Sequence, residues 1–305
     1  MRRWIVYQHE RFPLAAHAPL VAAFSVSAVS VSRLLRGEHG LPDATALLVA
    51  FVTALLFFLQ LRIVDEFKDF DDDARFRPYR PVPRGLVTLR ELAVIGLVSA
   101  GIQLGLAVWL NSSLVVLLAA GWIYVGLMTR EFFAPSWLKA HPGAYMASHM
   151  VVIPLIDLYA TACDWLVAGD GRPPDGLVWF LLVSYANGVV VEIGRKIRAP
   201  GDEEPGVETY SALWGRQTAV TAWLSAAVVT ALLAWQTASH VGIPVQVALM
   251  LAILLAGCGV IAHQFMRRPV AGAGKRIEVA SGVWTLLMYL SLGAAPAILL
   301  PATTP

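Results

Sequence analysis

Three aspartates recur at every fourth position near the end of the second long apolar run, at Asp65, Asp69 and Asp73. On a helix, residues four apart lie on the same face, so the three carboxylates would stack along one side. Carboxylates held this close repel one another and raise each other's pKa. A divalent cation removes that conflict, and Mg²⁺ bridges carboxylate oxygens to the oxygens of a phosphate group. The spacing therefore predicts a magnesium site for a phosphorylated substrate.

An arginine- and proline-rich segment follows these aspartates at residues 75–85. It carries four arginines, and the planar guanidinium group of arginine binds phosphate through paired hydrogen bonds. Four arginines beside closely spaced aspartates are consistent with a metal–diphosphate site. The alternative is a solvated charge run at a helix end, and the period of the aspartates argues against it. Thr88 and Glu91 then predict a capping box that begins the next helix.

A second mixture of acids, bases and helix breakers follows the sixth apolar run, in residues 192–209. Glu192 is expected about one turn inside the membrane, where an ionisable side chain is costly and by default a functional candidate. Lys196 lies four residues further along, so an ion pair along the helix is the structural alternative. Asn187 lies deeper and either joins two helices through a hydrogen bond or contacts a substrate.

Long apolar runs must position these two loops, and they decide the fold class. Hydrophobic residues make up 57% of the 305-residue chain and charged residues only 14%, against about 25% charged residues in soluble domains. Several runs reach the roughly 20 residues with which a helix crosses ~30 Å of hydrocarbon. We therefore predict an all-α polytopic membrane protein, one transmembrane domain over residues 1–305, with nine transmembrane helices. The predicted spans are 13–34, 43–64, 88–110, 112–129, 143–163, 176–194, 214–236, 243–265 and 279–300.

The distribution of basic residues predicts the orientation of this bundle. Cytoplasmic loops of membrane proteins carry an excess of Lys and Arg. With the N-terminus in the cytoplasm, all of the 23 Lys and Arg residues except Arg33, Arg36 and Arg172 fall in cytoplasmic segments. Both charged loops then face the cytoplasm. We predict an integral protein of the bacterial inner membrane whose active site faces the cytoplasm.

The two loops resemble those of the UbiA superfamily of intramembrane prenyltransferases. The first motif of that family, Asn/Asp-x-x-x-Asp-x-x-x-Asp followed by Arg-Pro-x-Pro-x-Gly, matches the three aspartates and residues 80–85. Its second motif, Gly-Asp-x-x-x-Gly-x-x-Thr, matches residues 201–209. Two residues depart from the pattern: Asp65 stands where the family usually has Asn, and Arg198 stands where an aspartate is expected before Asp202. The chain therefore resembles a divergent branch of the family.

The resemblance implies an Mg²⁺-dependent reaction of an isoprenyl diphosphate. The metal would be held by the aspartates of both motifs, and cationic side chains would neutralise the departing diphosphate. The residues expected to take part in catalysis are Asp65, Asp69, Asp73, Asp202 and Glu192, of which the four aspartates would bind metal. The residues expected to bind substrate are Arg75, Arg80, Arg130, Asn187, Lys196, Arg198, His149 and Tyr124.

Ionisation of such a donor gives an allylic carbocation, which an aromatic face stabilises. The candidates are Tyr124, Tyr145, Tyr185 and Trp122, and ordinary packing is the alternative for each. His149 and Asp157 lie eight residues apart, roughly on one face of the fifth span. They are expected to line the acceptor pocket, with His149 as a base, unless they form only a polar pair between helices.

Several functions remain open from the sequence. The leading hypothesis is transfer of an isoprenyl group to a small acceptor, aromatic or similar to a quinone precursor. The alternatives are a membrane terpene cyclase, transfer to a phosphorylated sugar or lipid alcohol, a binding protein without turnover, and an ion transporter that uses Glu192, Asp157 and His149. The predicted partners are an isoprenyl diphosphate, a small acceptor and the lipid bilayer, with no nucleic acid. The oligomeric state is open.

Overall fold

The computed structural model describes residues 2–204 and 206–300, and all regular elements within those residues are helices. The prediction of an all-α membrane protein is therefore confirmed for that part of the chain. The α-helices are α1 (Arg2–Arg11), α2 (Leu14–Leu35), α3 (Ala44–Lys68), α4 (Phe70–Phe76), α5 (Leu89–Leu110), α6 (Leu114–Thr129), α7 (Pro135–Ala140), α8 (Pro142–Met150), α9 (Val152–Trp165), α10 (Leu177–Arg195), α11 (Tyr210–Trp214), α12 (Arg216–Val241), α13 (Pro244–Arg267), α14 (Ala273–Leu292) and α15 (Ala294–Leu299). Short 3₁₀ turns cover Glu131–Phe133 and Pro200–Asp202.

The structure confirms several membrane-crossing segments but not the predicted number of nine. Among the described residues, eight helical segments are long and apolar enough to cross a membrane, counting α8 with α9 and α14 with α15 as one segment each. The predicted span 112–129 corresponds to α6, which is apolar but has only 16 residues. At 1.5 Å per residue it is about 24 Å long, shorter than the ~30 Å hydrocarbon layer.

Two of the predicted spans have different boundaries in the structure. The fifth span is broken after Met150 into α8 and α9. Pro154 explains the break, because proline has no N–H to donate and its ring clashes with the carbonyl group four residues earlier. The ninth span begins at Ala273, six residues before the predicted start, because the helix continues through Lys275 and Arg276. Long basic side chains at a helix end reach the polar interface while their stems stay apolar.

The core of the bundle lies where α10 packs against α9, α12 and α14, and where α2 packs against α3 and α9. Trp223 of α12 is fully buried, and its indole N–H donates to Ser281 Oγ of α14 at 2.8 Å. A side chain at Gly194 of α10 would overlap Ser281, so the three helices approach closely there. This contact fixes the end of α10, where the second charged loop begins.

The N-terminal helix α1 lies against the first charged loop. Tyr7 of α1 belongs to a small apolar cluster with four other residues. Ile63 comes from α3, Val82 and Val87 come from the loop between α4 and α5, and Leu92 comes from α5. The capping box predicted for α5 is confirmed: the Thr88 side chain accepts from the Glu91 N–H at 3.2 Å, and the Glu91 carboxylate accepts from the Thr88 N–H at 2.9 Å. The first loop is thus held at both ends.

Candidate active site

The three aspartates of the first loop lie on a nearly continuous helical path that passes from α3 into α4. The Asp69 N–H donates to the Asp65 carbonyl at 2.9 Å, and the Asp73 N–H donates to the Asp69 carbonyl at 2.7 Å. These backbone bonds keep the four-residue helical spacing across the junction between the two helices. The local structure that the sequence predicts is therefore present.

Two of these carboxylates are suited to bind a cation. The Asp65 side chain is 48% exposed, and its nearest cation, Arg62, lies 3.7 Å away. Burial and the neighbouring carboxylates of Asp65 and Asp73 raise the pKa of Asp69 above its usual range. A raised carboxylate pKa means that nearby groups compensate the ionised form poorly. A hard divalent cation such as Mg²⁺ would relieve this, so Asp65 and Asp69 fit a magnesium ion.

The third aspartate of the loop, Asp73, is occupied by arginines. Asp73 is 1% exposed. Arg80 Nη1 donates to its two oxygens at 2.8 and 2.6 Å, and Arg77 Nε lies 3.0 Å from it. Arg11 of α1 approaches to 3.9 Å. In this arrangement Asp73 orients arginines and offers no free oxygen to a metal, and Arg80 is bound to protein instead of pointing to open space.

The second loop begins with a buried carboxylate between two cations. Glu192 is 6% exposed and accepts from Arg195 Nε at 2.6 Å and from Lys196 Nζ at 2.9 Å. The predicted pairing of Glu192 with Lys196 is therefore present. Lys196 Nζ also lies 5.5 Å from the centre of the Tyr210 ring. The Lys196 backbone carbonyl accepts from the Tyr210 N–H at 3.0 Å. Burial raises the pKa of the Tyr210 hydroxyl group, and the nearby Glu192 carboxylate adds a smaller increase.

Asp202 lies further along the second loop, beside a polar cavity of about 330 Å³. Its side chain accepts from the Gly272 N–H at 2.8 Å. The cavity is lined by Arg198, Gly201, Asp202, Glu203, Glu204, Gly272 and Lys275. This mixture of acids and bases is suited to a phosphate that arrives with a cation. Thr209, the last residue of the predicted motif, donates to Glu203 at 2.7 and 2.9 Å and so holds the loop together.

The two loops meet at the same end of the bundle. The Phe76 ring of α4 lies against Gly206, which has φ +76°. Asp65 of the first loop is also close enough to Arg195 of the second for their charges to act on each other. Among the residues that the structure describes, no three His, Cys, Asp or Glu side chains are grouped as a metal site. The binding of metal by the four aspartates stays a prediction, and Asp73 is the one that arginines already occupy.

Replacing Gly206 with alanine is expected to separate the loops and lower the activity about tenfold. A Cβ atom there would lie 2.7 Å from the Phe76 ring, and a non-glycine residue at positive φ costs about 1–3 kcal/mol. The measurement is the Mg²⁺-dependent release of diphosphate that the sequence predicts, made on the purified variant. The double variant Gly206→Ala/Phe76→Ala should recover part of the activity if the ring contact is responsible. An unchanged rate in Gly206→Ala would show that the loops need not touch.

A third polar cluster lies beside the first loop, and sequence reasoning found only part of it. Lys68, the last residue of α3, lies 2.6 Å from Glu131, 3.2 Å from Tyr145 Oη and 3.3 Å from His149 Nε2. His149 was predicted to bind substrate and Tyr145 to face the carbocation. Lys68 and Glu131 were missed. The available signal was a charged pair, Arg130–Glu131, directly before two phenylalanines at the end of an apolar run.

The remaining predicted residues fall into two groups. Tyr124 lies near the third cluster, where its hydroxyl donates to the Ser148 carbonyl at 2.6 Å. Arg130 is exposed at the end of α6. Arg75 is exposed too, and its guanidinium lies 5.0 Å from the centre of the neighbouring Phe76 ring. Both arginines are exposed, and their binding of a substrate stays a prediction.

Other predicted residues lie between helices in the bundle. The Asn187 side-chain oxygen accepts from Thr285 at 3.5 Å, and its amide nitrogen is buried without a partner. Asp157 is fully buried and accepts from Tyr289 Oη at 2.6 Å. Neither Trp122 nor Tyr185 has a free polar group, since they donate to Gln103 at 3.0 Å and to the Ala147 carbonyl at 3.1 Å. Asp157 therefore does not join His149 in the structure.

Known proteins resemble this chain in sequence. The model of the UbiA prenyltransferase family matches residues 24–278. A digeranylgeranylglyceryl phosphate synthase from Methanopyrus kandleri is 27% identical over 206 residues, which cover 66% of this chain and 69% of that protein.

Solved structures share the fold. An apo UbiA homologue from Aeropyrum pernix has a TM-score of 0.65 at 14% identity, with 88% of this chain and 97% of that chain covered. A UbiA homologue from Archaeoglobus fulgidus bound to DMAPP and Mg²⁺ has a TM-score of 0.55 at 12% identity, with 94% and 98% covered. The family model spans most of the chain, and the residues it matches include both motif loops. The chain therefore belongs to the UbiA prenyltransferase family.

Proposed function

We propose that this prenyltransferase transfers an isoprenyl group from an isoprenyl diphosphate to a small acceptor, with Mg²⁺, where the two charged loops meet. The observation that carries the proposal is the contact between those loops, which brings the poorly compensated Asp69 carboxylate and a cavity lined by acidic and basic residues to one end of an apolar bundle. Two structures of a UbiA homologue from Archaeoglobus fulgidus, one bound to DMAPP and Mg²⁺ and one bound to GPP and Mg²⁺, support the donor class and the metal.

Residues of both loops would bind the diphosphate. Asp65, Asp69 and Asp202 are the carboxylates proposed to hold Mg²⁺, and Asp73 is proposed to hold Arg80 in position beside them. Mg²⁺ supplies positive charge that stabilises the leaving diphosphate. The basic residues proposed to add to that stabilisation are Arg75, Arg80, Arg130, Lys196 and Arg198. Glu192 is proposed to orient Arg195 and Lys196, with both of which it pairs.

An aromatic or quinone-precursor acceptor is the leading proposal for the second substrate. Four rings form a connected aromatic surface next to Lys68: Tyr124, Phe132, His149 and Tyr145. A flat, apolar acceptor would pack well against such rings. The apolar bundle would keep water from the carbocation that forms when the donor ionises. Asn187, with its unpartnered amide nitrogen, is proposed to contact substrate deeper in the bundle.

A second candidate acceptor is the hydroxyl group of a glyceryl phosphate lipid. The Methanopyrus kandleri relative, a digeranylgeranylglyceryl phosphate synthase, favours it. An apolar groove of about 730 Å³ between α13 and α14 also ends at Lys275 and Arg276, a suitable place for a lipid with an anionic head group. Membership in the family favours either transferase over the ion transporter.

The distribution of Lys and Arg residues between the loops supports a proposal for the orientation of the protein in the membrane. We propose that the N-terminus and both charged loops face the cytoplasm, in the inner membrane of a bacterium, and that residues 1–305 form one domain. Positive charge concentrated on one side supports this orientation. The water-soluble diphosphate substrate head and the Mg²⁺ would then reach the site from the cytoplasm.

The first experiment offers geranyl, farnesyl and geranylgeranyl diphosphates to the purified protein, with and without Mg²⁺ and with a panel of phenols and lipid alcohols. We expect release of diphosphate that depends on Mg²⁺ and on an acceptor, with the isoprenyl group recovered on that acceptor. Release without any acceptor, accompanied by a terpene hydrocarbon or alcohol, would instead assign a cyclase. No release from any donor by folded protein would contradict the proposed function.

A further inference from the structure

We propose that Glu131 accepts the proton of a hydroxyl group on the acceptor, and that Lys68 and His149 hold Glu131 in position for this step. The inference rests on the proposed function and deepens it, because it assigns the acceptor a chemical class: a neutral molecule that reacts after losing a hydroxyl proton. The four residues Lys68, Glu131, Tyr145 and His149 are called the Lys68 cluster below.

The backbone that carries Glu131 is strained. Glu131, Phe132 and Phe133 have φ values of +49°, +50° and +60°, and none of them is glycine. Positive φ values are unfavourable for such residues, and strain of this kind is concentrated at active sites and ligand-binding turns. The turn stops α6 and leads the chain back, which places the Glu131 carboxylate 2.6 Å from Lys68 Nζ of α3. The strained turn is therefore the segment that brings the Glu131 carboxylate to Lys68.

Lys68 uses all of its hydrogen-bond donors within the cluster. An ammonium group has three N–H donors, and Lys68 Nζ contacts Glu131 Oε1 at 2.6 Å, Tyr145 Oη at 3.2 Å and His149 Nε2 at 3.3 Å. His149 Nδ1 lies 2.8 Å from the Tyr145 carbonyl, which can only accept, so Nδ1 carries the imidazole hydrogen. Nε2 is then free to accept from Lys68.

This arrangement leaves one acceptor without a donor. Glu131 Oε2 is buried and has no hydrogen-bond partner. It lies 3.4 Å from His149 Nε2, which is already accepting from Lys68. A buried carboxylate oxygen without a donor is costly. A hydroxyl group on a bound acceptor would supply the missing donor, whereas an anionic oxygen at the same place would be repelled.

The carboxylate lies beside an aromatic surface and next to the residue that precedes Asp69, one of the aspartates proposed to bind metal. The Phe132 ring centre lies 5.5 Å from that of Tyr124 and 5.7 Å from that of His149, which stacks on Tyr145 at 3.9 Å. Lys68 directly precedes Asp69 in the chain. An acceptor packed on these rings would thus have its hydroxyl group at Glu131 and its reacting atom toward the diphosphate end.

The proposed step balances without another reactant. The hydroxyl oxygen attacks C1 of the isoprenyl donor, the bond between C1 and the diphosphate oxygen breaks, and its electron pair leaves with diphosphate. The hydroxyl proton moves to Glu131 Oε2 and later to solvent. If a ring carbon of a phenol attacks instead, the same proton moves to Glu131 and the ring returns to the phenol by tautomerisation.

The test compares Glu131→Gln with the wild-type protein on two acceptors, an unsubstituted phenol and a nitrophenol that is already largely ionised at neutral pH. We expect kcat with the phenol to fall about 10²–10⁴-fold, the usual contribution of a general base, and kcat with the nitrophenol not to fall, because an ionised oxygen needs no base. The KM for the donor should not change. Equal losses on both acceptors, or a rate on the phenol near that of wild type, would overturn the proposal.

Further variants separate chemistry from folding. Glu131→Asp keeps a carboxylate and should recover part of the rate on the phenol. Phe133→Ala changes an exposed side chain, 78% exposed, in the same strained turn and should leave both rates unchanged. If Glu131→Gln does not fold, Glu131→Asp carries the same comparison, with a smaller loss that is again confined to the phenol. An aliphatic lipid alcohol in the panel distinguishes the two acceptor sources. Wild-type protein inactive on every acceptor refutes the proposed function, whereas active wild type with equal losses refutes only the role of Glu131.

Discussion

The Asp69→Ala variant is expected to lose Mg²⁺-dependent release of diphosphate by at least about 10³-fold while its helical content and elution volume stay unchanged. Electrostatic groups that act on developing charge each contribute about 10²–10³-fold to the rate, and loss of a metal ligand removes the cation's share as well. Burial and the neighbouring carboxylates of Asp65 and Asp73 raise the pKa of Asp69, so its ionised form is poorly compensated. Removing it therefore removes the centre of the proposed cation site, and initial-rate assays over a range of Mg²⁺ concentrations measure the loss.

The same segment supplies matched controls. Asp71 and Asp72 are exposed acids within three residues of Asp69, off the four-residue period. Asp71→Ala and Asp72→Ala should stay within about threefold of wild type, since exposed charges separated from the site by water act weakly. Asp202→Ala, in the second loop, should lose as much activity as Asp69→Ala. Near-normal turnover in either Asp69→Ala or Asp202→Ala would show that the metal assignment is wrong.

The bundle and the two loops could be predicted because their physical signals are local. An apolar run long enough to cross the hydrocarbon layer has few alternatives to a helix, and the four-residue spacing of Asp65, Asp69 and Asp73 survives the junction of two helices. The pairing of Glu192 with Lys196 follows from the same geometry, because residues four apart on a helix are neighbours. Each of these inferences needs only one element.

The features that sequence reasoning missed depend on several elements at once. The Lys68 cluster joins the end of α3, the turn after α6 and helix α8, and the turn is strained, so no local preference predicts it. The binding of Asp73 by Arg80 could not be predicted from the sequence either. An arginine close in sequence to an aspartate can bind either that aspartate or a substrate phosphate, and the fold of the intervening loop decides between them. The start of α6 was predicted two residues too early, because hydropathy does not record where a helix begins.

The second large effect is expected in Arg11→Ala, which should lower the free energy of unfolding by about 3–5 kcal/mol, the usual cost of leaving a buried charge without its partner. Arg11 of α1 and Glu66 of α3 are 2.5 Å apart, and their side chains are only 8% and 1% exposed. Arg11 also lies 3.9 Å from Asp73, so its loss weakens the first loop. Thermal denaturation in detergent and limited proteolysis near residue 12 measure the two consequences.

The control lies eight residues earlier on the same helix. Arg3 is also 2.5 Å from its partner, Glu91, but those side chains are 46% and 30% exposed. Exposed ion pairs contribute little to stability, so Arg3→Ala should change the unfolding free energy little although the distance is the same. The double variant Arg11→Met/Glu66→Leu should be much more stable than Arg11→Ala, because an apolar pair can replace a buried ion pair at little cost. If Arg3→Ala and Arg11→Ala were equally destabilising, burial would not be what gives this contact its strength. The attachment of α1 to the active-site loop would then have to depend on the apolar cluster around Tyr7.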